Sequence, residues 1–168
     1  MSDTNLDEIV DFPREVINKI CESQEIIGLL ADKPTATIED IEDNNGELKY
    51  MFDYDYIDET ITEISSFICV DTIITKVGND HIKDVKLLVW VISHKQHMKL
   101  DRTLFKGYKG NRRNNIVKYI DKLLNGSDDF GIGALQLQSV SNITLPSNFT
   151  GKQLIYTVPS FNRKGVST

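Results

Sequence analysis

The stretch Val85-Lys-Leu-Leu-Val-Trp-Val-Ile-Ser-His94 constrains the fold more than any other part of the chain. It is a nearly unbroken apolar run, rich in β-branched residues and far shorter than the roughly 20 residues needed to cross a bilayer. Such a run fits a strand buried on both faces. Residues 85–92 are therefore expected in the middle of a sheet, with neighbours on either side.

Ser66-Phe-Ile-Cys-Val-Asp-Thr-Ile-Ile-Thr75 supplies the first neighbour. The polar link between the two strands contains Gly78-Asn79-Asp80, a turn signal, so the pair is expected as a β-hairpin. Ahead of it, Asp11 is a plausible N-cap with Pro13 in the first turn of a helix. Val16, Ile17, Ile20 and Cys21 recur at helical spacing, and Ile26, Ile27, Leu29 and Leu30 continue the stripe. Ser23 is expected to split this region into two helices, because serine suits a cap better than a helix interior. After the hairpin, residues 112–125 carry Ile116, Val117, Ile120, Leu123 and Leu124 on one face, with Gly126 as the stop. Two further strands are expected at 134–144 and 153–158, joined by a loop over 146–151. Hairpin strands with helices set between them point to an α+β fold. It has a mainly antiparallel sheet of four to five strands and two amphipathic helices packed on one face.

The chain has 168 residues, which fits one domain. The expected division is an acidic N-terminal arm over 1–12, a single domain over 13–158 and a polar tail over 159–168. Both ends are expected to be flexible. Cys21 and Cys69 lie far apart in apolar runs and form no paired motif, so they are expected as reduced core thiols. The acidic first residues lack the basic-then-apolar pattern of a secretory signal, and no segment is long and apolar enough for a membrane span.

Charge is divided unevenly. Residues 1–63 hold 18 acids and 4 bases, whereas residues 64–168 hold 7 acids and 15 bases. The bases crowd between Lys95 and Lys122. Such a division can steer copies of one chain together, acidic region to basic region, or can simply mark two solvated surfaces. Within the acidic half, Tyr50, Phe52, Tyr54 and Tyr56 alternate with Met51, Asp53 and Asp55. Period-two aromatics suggest an extended segment with one face packed down. It is either a cover for the domain's own core or an adhesive strip between subunits. The candidate interface residues are these four aromatics with Lys99, Arg102, Lys106, Lys109, Arg112 and Arg113.

The search for chemistry finds little. His94, His97 and Asp101 have residue types that suit a metal-dependent hydrolase, but the histidines sit where a strand runs out and Lys95, Lys99 and Arg102 oppose a dication. Gly107-Tyr-Lys-Gly110 before a helix only superficially resembles a phosphate cradle, lacking the GxxxxGK[ST] pattern. The basic run can meet DNA phosphates without reading bases, but no aromatics interleave it as a stacking platform needs. No nucleophile elbow occurs. Neither a catalytic residue nor a cofactor or metal is assigned, and the chain is expected not to be an enzyme.

The element order carries a resemblance. The helix ending in Ile26-Ile-Gly-Leu-Leu-Ala31 leads to the paired strands near 67–74 and 86–94. Gly110-Asn-Arg-Arg113 then opens a helix ending in Leu123-Leu-Asn-Gly126, and a closing strand pair runs to 158. This pattern resembles the tail terminator, or tail-completion, proteins of tailed bacteriophages. The resemblance implies a homo-oligomeric ring, usually a hexamer, that caps the tail tube, ends tail elongation and joins the tail to the head connector. Implied partners are the tail-tube protein and a neck or head-completion protein, with DNA passing as non-specific cargo through the central channel. The implied location is the virion neck, assembled in the bacterial host cytoplasm. The acidic segment over 35–60 departs from the family pattern and leaves open which surface meets which partner. The nearest alternative is another neck component, such as a head-completion or adaptor protein; the hydrolase built on His94, His97 and Asp101 is the more distant one.

Overall fold

The computed structural model describes residues 7–77, 83–130, 133–146 and 148–157. The expected turn at Gly78-Asn79-Asp80, residues 1–6 of the N-terminal arm and the tail 159–168 lie outside the described residues. The elements run α1 (Asp7–Ile20), α2 (Gln24–Leu30), β1 (Met51–Phe52), β2 (Ser66–Val77), β3 (Lys83–His94), α3 (Arg112–Leu124), β4 (Gln136–Ile143) and β5 (Phe149–Thr157). The five strands form one sheet in the order β1-β2-β3-β5-β4. The single parallel pair is β1 with β2, and the other pairings are antiparallel. The architecture is the expected α+β, with a sheet at the five-strand end of the range and a third helix.

The apolar run of 85–92 lies in β3, at the centre. Val89 sits opposite Val70 of β2 on one side and Leu154 of β5 on the other. Because side chains alternate along a strand, Leu87, Val89 and Val91 face the helices, while Trp90 and Ile92 face the opposite layer. Val16, Ile17 and Ile20 of α1, Ile26 and Leu29 of α2, and Ile116, Ile120 and Leu124 of α3 are completely buried against the helix-side face. Each such aliphatic side chain contributes about 1.5–3 kcal/mol relative to exposure, so this layer supplies most of the driving force for folding.

Local signals explain where the helices begin and end. Ser23 separates α1 from α2 as expected, and its Oγ accepts a hydrogen bond from the Ile26 N–H at 3.3 Å. Asn111 caps α3 in the same manner, accepting from the Asn114 N–H at 2.9 Å. Gly126 follows α3 with φ of 83°, a conformation that suits glycine, and its N–H donates to the Leu135 carbonyl at 2.7 Å.

Two expectations are corrected. α1 begins at Asp7, so residues 7–12 are helical, not a loose arm, and Pro13 lies inside the helix. Phe12 explains this: it is buried and meets Phe130 edge-on at 5.4 Å, so tertiary packing holds the segment despite the proline. β5 begins at Phe149, so Thr150 and Gly151 belong to the sheet and not to the preceding loop. Gly151 sits opposite Ile92 and Ile143. A Cβ there would lie 2.6 Å from the Ile143 side chain, so glycine is what lets Ile143 cross the strand. Both cysteines are free thiols, and burial pushes the Cys69 thiol up to about 11.

Candidate functional site

The 50–56 aromatics lie at the β1 edge of the sheet. The Tyr50 carbonyl accepts the Ile68 N–H at 2.8 Å, and Met51 and Phe52 pair in parallel with Ile68 and Cys69. The chain then leaves the strand and passes over the sheet face away from the helices. There Ile57 joins Phe67, Cys69, Ile92 and Phe149 in a second, smaller core. Phe52 and Tyr56 stack at 3.8 Å with planes 9° apart. Tyr56 contacts Phe67 at 5.5 Å, Phe67 contacts Phe149 at 6.2 Å, and Phe149 meets His94 edge-on at 5.3 Å. The alternation therefore divides between residues that cover the domain's own core and one that faces outward. Phe52 and Tyr56 pack on the domain's own core, whereas Tyr54 is 53% exposed.

This strap borders an open groove of about 390 Å³. Phe52, Tyr54 and Tyr56 line it together with Asp43, Glu47, Asp53 and Glu63, and with the cations Arg14 and Lys49. Arg14 of α1 bonds Asp53 at 3.3 Å, tying the helix to the strap across 39 residues. Asp43 accepts the N–H groups of Asn45 and Glu47 at 2.7 and 3.0 Å, which holds its carboxyl below the usual carboxylate range and keeps it charged. The groove therefore offers fixed negative charge beside an open aromatic face, a surface suited to a cationic side chain. The acidic bias of residues 1–63 was visible in the sequence. That Arg14, Asp43, Glu47 and Glu63 line one groove with Tyr54 was not, because a helix and loops of different reach bring them together.

The basic candidates separate into two groups. Lys99, Arg102, Lys106 and Lys109 are exposed on the connection between β3 and α3. Arg102 also shapes that connection, donating to the Tyr108 and Gly110 carbonyls. Arg112, by contrast, is 1% exposed and does not belong to a basic surface. Its guanidinium donates to the carbonyls of His97, Leu29 and Lys99, pairs with Asp32 and lies 5.5 Å from the Phe105 ring. It ties α2, the basic connection and α3 together from inside. Arg113 is half-buried and donates to Thr150 Oγ1 of β5. Both arginines at the start of α3 anchor inward, Arg112 on backbone carbonyls and Arg113 on the Thr150 hydroxyl, with the Arg113 Nε–H left without a partner among the described residues.

The histidines are taken up in the same region. His94 Nδ1 accepts the Gln96 N–H at 3.1 Å. His97 Nδ1 bonds Ser66 Oγ at 2.9 Å, and Ser66 Oγ bonds Ser93 Oγ at 2.8 Å. Burial and the neighbouring Arg112 charge pull the His97 ring down to about 4, so it is neutral at ordinary pH. Asp101 is exposed and turned back on its own loop, accepting from Thr103 N–H at 2.8 Å and from its hydroxyl at 2.6 Å. Among the described residues, no group of three or more His, Cys, Asp or Glu side chains is placed to hold a metal ion. The Ser66–His97 contact has the atoms of a nucleophile–base pair, but Ser66 is fully buried, which denies a substrate access to its oxygen.

The YomW family model matches residues 23–158, from the α2 cap to the end of β5. The chain belongs to the YomW family. This family is phage-derived, which makes the protein a phage-related one. Comparison of the YomW-family chain with curated proteins finds no significant match. Among its described residues, no helix is long and apolar enough to cross a membrane.

Proposed function

We propose that this YomW-family protein is a structural subunit of the phage neck, forming a ring that caps the tail tube, ends its elongation and meets the head connector. The observation that carries the reading is the separation of two complementary surfaces. The acidic, aromatic groove opens at the β1 edge beneath Tyr54. The exposed bases Lys99, Arg102, Lys106 and Lys109 sit on a connection anchored in the helix-side core by Leu100 and Phe105. Unlike patches on different parts of one subunit are what a closed ring needs, since heterologous contacts repeat around an axis while identical patches close in pairs. The acidic groove of one copy then receives the basic connection of the next, and DNA crosses the central hole without specific contacts. The phage-derived family supports the setting, and no catalytic role is assigned.

Electron microscopy of the protein mixed with the tail-tube protein of the same phage tests this reading. Rings on tube ends are expected. Well-formed tubes with bare ends would favour a different neck component, such as a head-completion or adaptor protein. Charge reversal at Lys106 and Lys109 separates the electrostatic part, because ring formation that survives it needs another contact.

A further inference from the structure

The opposite edge of the sheet carries a second contact surface. Between Asp129 and Lys152 the chain has no charged side chain over 22 residues, in a sequence that is 26% charged and would place about six there at its own average. This segment contains β4, which lies at the sheet edge. Ser139, Val140, Ser141 and Asn142 are all exposed, and Val140 is 43% accessible at the middle of the strand. An edge strand that has to stay unpaired is normally guarded by lysine, proline, an inward charge or a bulge. β4 has such devices only towards its ends. The ladder shifts between Leu137 and Ser139, Asn125 Oδ1 takes the Leu137 N–H at 3.1 Å, and Lys152 of β5 reaches Asn142 Oδ1 at 3.1 Å. Val140 and its neighbours are left unguarded among the described residues. The free margin of β2 beyond β1 is treated differently. Asp71 places a charge there and binds the Thr72 N–H at 2.7 Å, and a shift between Ile74 and Lys76 breaks the ladder.

We propose that β4 pairs with β4 of a second copy of this chain, antiparallel about a two-fold axis at Val140, joining two five-stranded sheets into one. Two-fold pairing sets each residue opposite one equally far from the axis, so central residues face themselves. A charge at the centre would oppose its own kind, which destabilises a cross-strand pair. A charge-free strand is the composition that permits self-pairing, and the exposed Val140 provides an apolar contact at the axis. The pairing concerns the free chain and does not rest on the ring reading: a failed ring shows at tube ends, and a failed dimer shows in solution.

Light scattering coupled to size exclusion, over a wide dilution series of the full chain, is expected to give a reversible dimer. The variant Val140→Cys is expected to form a disulfide-linked dimer on mild oxidation, and the parent chain, with Cys69 buried and Cys21 partly buried, is expected to form none. Ser139→Lys and Ser141→Lys are each expected to weaken the dimer ten-fold or more while leaving the melting transition of the monomer in place. A monomer at every concentration overturns the proposal, as it would if another segment of the same chain covered β4. A dimer that ignores both lysine variants and gives no cross-link at position 140 overturns it as well, because a different surface then holds the copies together.

Discussion

The two edges of this sheet solve the same problem in opposite ways. At one edge β1 is only two residues long, and the chain that follows it folds back as a strap over Phe67, with Asp53, Asp55, Asp58 and Glu59 along its length. At the other edge β4 runs for eight residues with no charge and no cover among the described residues. A short, charged and covered edge resists strand addition, and a long uncharged one invites it. The difference is informative because both edges flank the same core, so stability alone does not require it. The β1 edge presents exposed side chains such as Tyr54, whereas the β4 edge presents an uncharged strand backbone.

Phe67→Ala attacks the covered edge most directly. The ring is fully buried and touches Tyr50, Phe52, Tyr56 and Phe149. Its removal is expected to destabilise the domain by about 3–5 kcal/mol, measured by urea unfolding, and to loosen the strap in hydrogen exchange before it affects β4. Equal loss of protection at both edges would mean that the strap is not a separate cover. Gly151→Ala makes the matching change beside the open edge. Its Cβ must displace Ile143, so a loss of about 1–3 kcal/mol is expected, with faster exchange at the end of β4.

A pH ramp tests the partly buried His97 ring beside Arg112 at the end of the sheet. His97 titrates near 4 in the folded chain against 6.5 in an unfolded one, so between those values the unfolded state holds the extra proton. Stability is therefore expected to be undiminished above about pH 6.5, to fall as pH drops toward 4, and to lose nothing further from this group below that. The exposed part of the ring moderates the size of the effect. His97→Gln is expected to flatten that stretch of the stability–pH curve, and an unchanged slope would assign the dependence to other groups. The smallest stability effect belongs to Tyr54→Ala, expected within about 0.5 kcal/mol because the side chain is mostly exposed. If the groove is a docking surface, this variant lowers ring formation without moving the melting temperature; if ring formation is also unchanged, Tyr54 is not part of the contact.

How much of this was legible in the chain depended on the range of the interaction. The apolar run in β3, the stripe of α3, the Ser23 cap and the Gly126 stop were determined by the sequence itself, because periodicity and capping act within a few residues. The aromatic alternation at 50–56 announced a packed extended segment, yet it did not say that Phe52 and Tyr56 turn inward while Tyr54 stays out. Tertiary structure alone decided that, along with the passage of α1 through Pro13 and the burial of Arg112. In the sequence Arg112 is one more base in a basic run. In the fold it donates to the Leu29 carbonyl, 83 residues away. No local pattern encodes that partner, because the site that desolvates and satisfies the guanidinium exists only once helices and sheet have packed together.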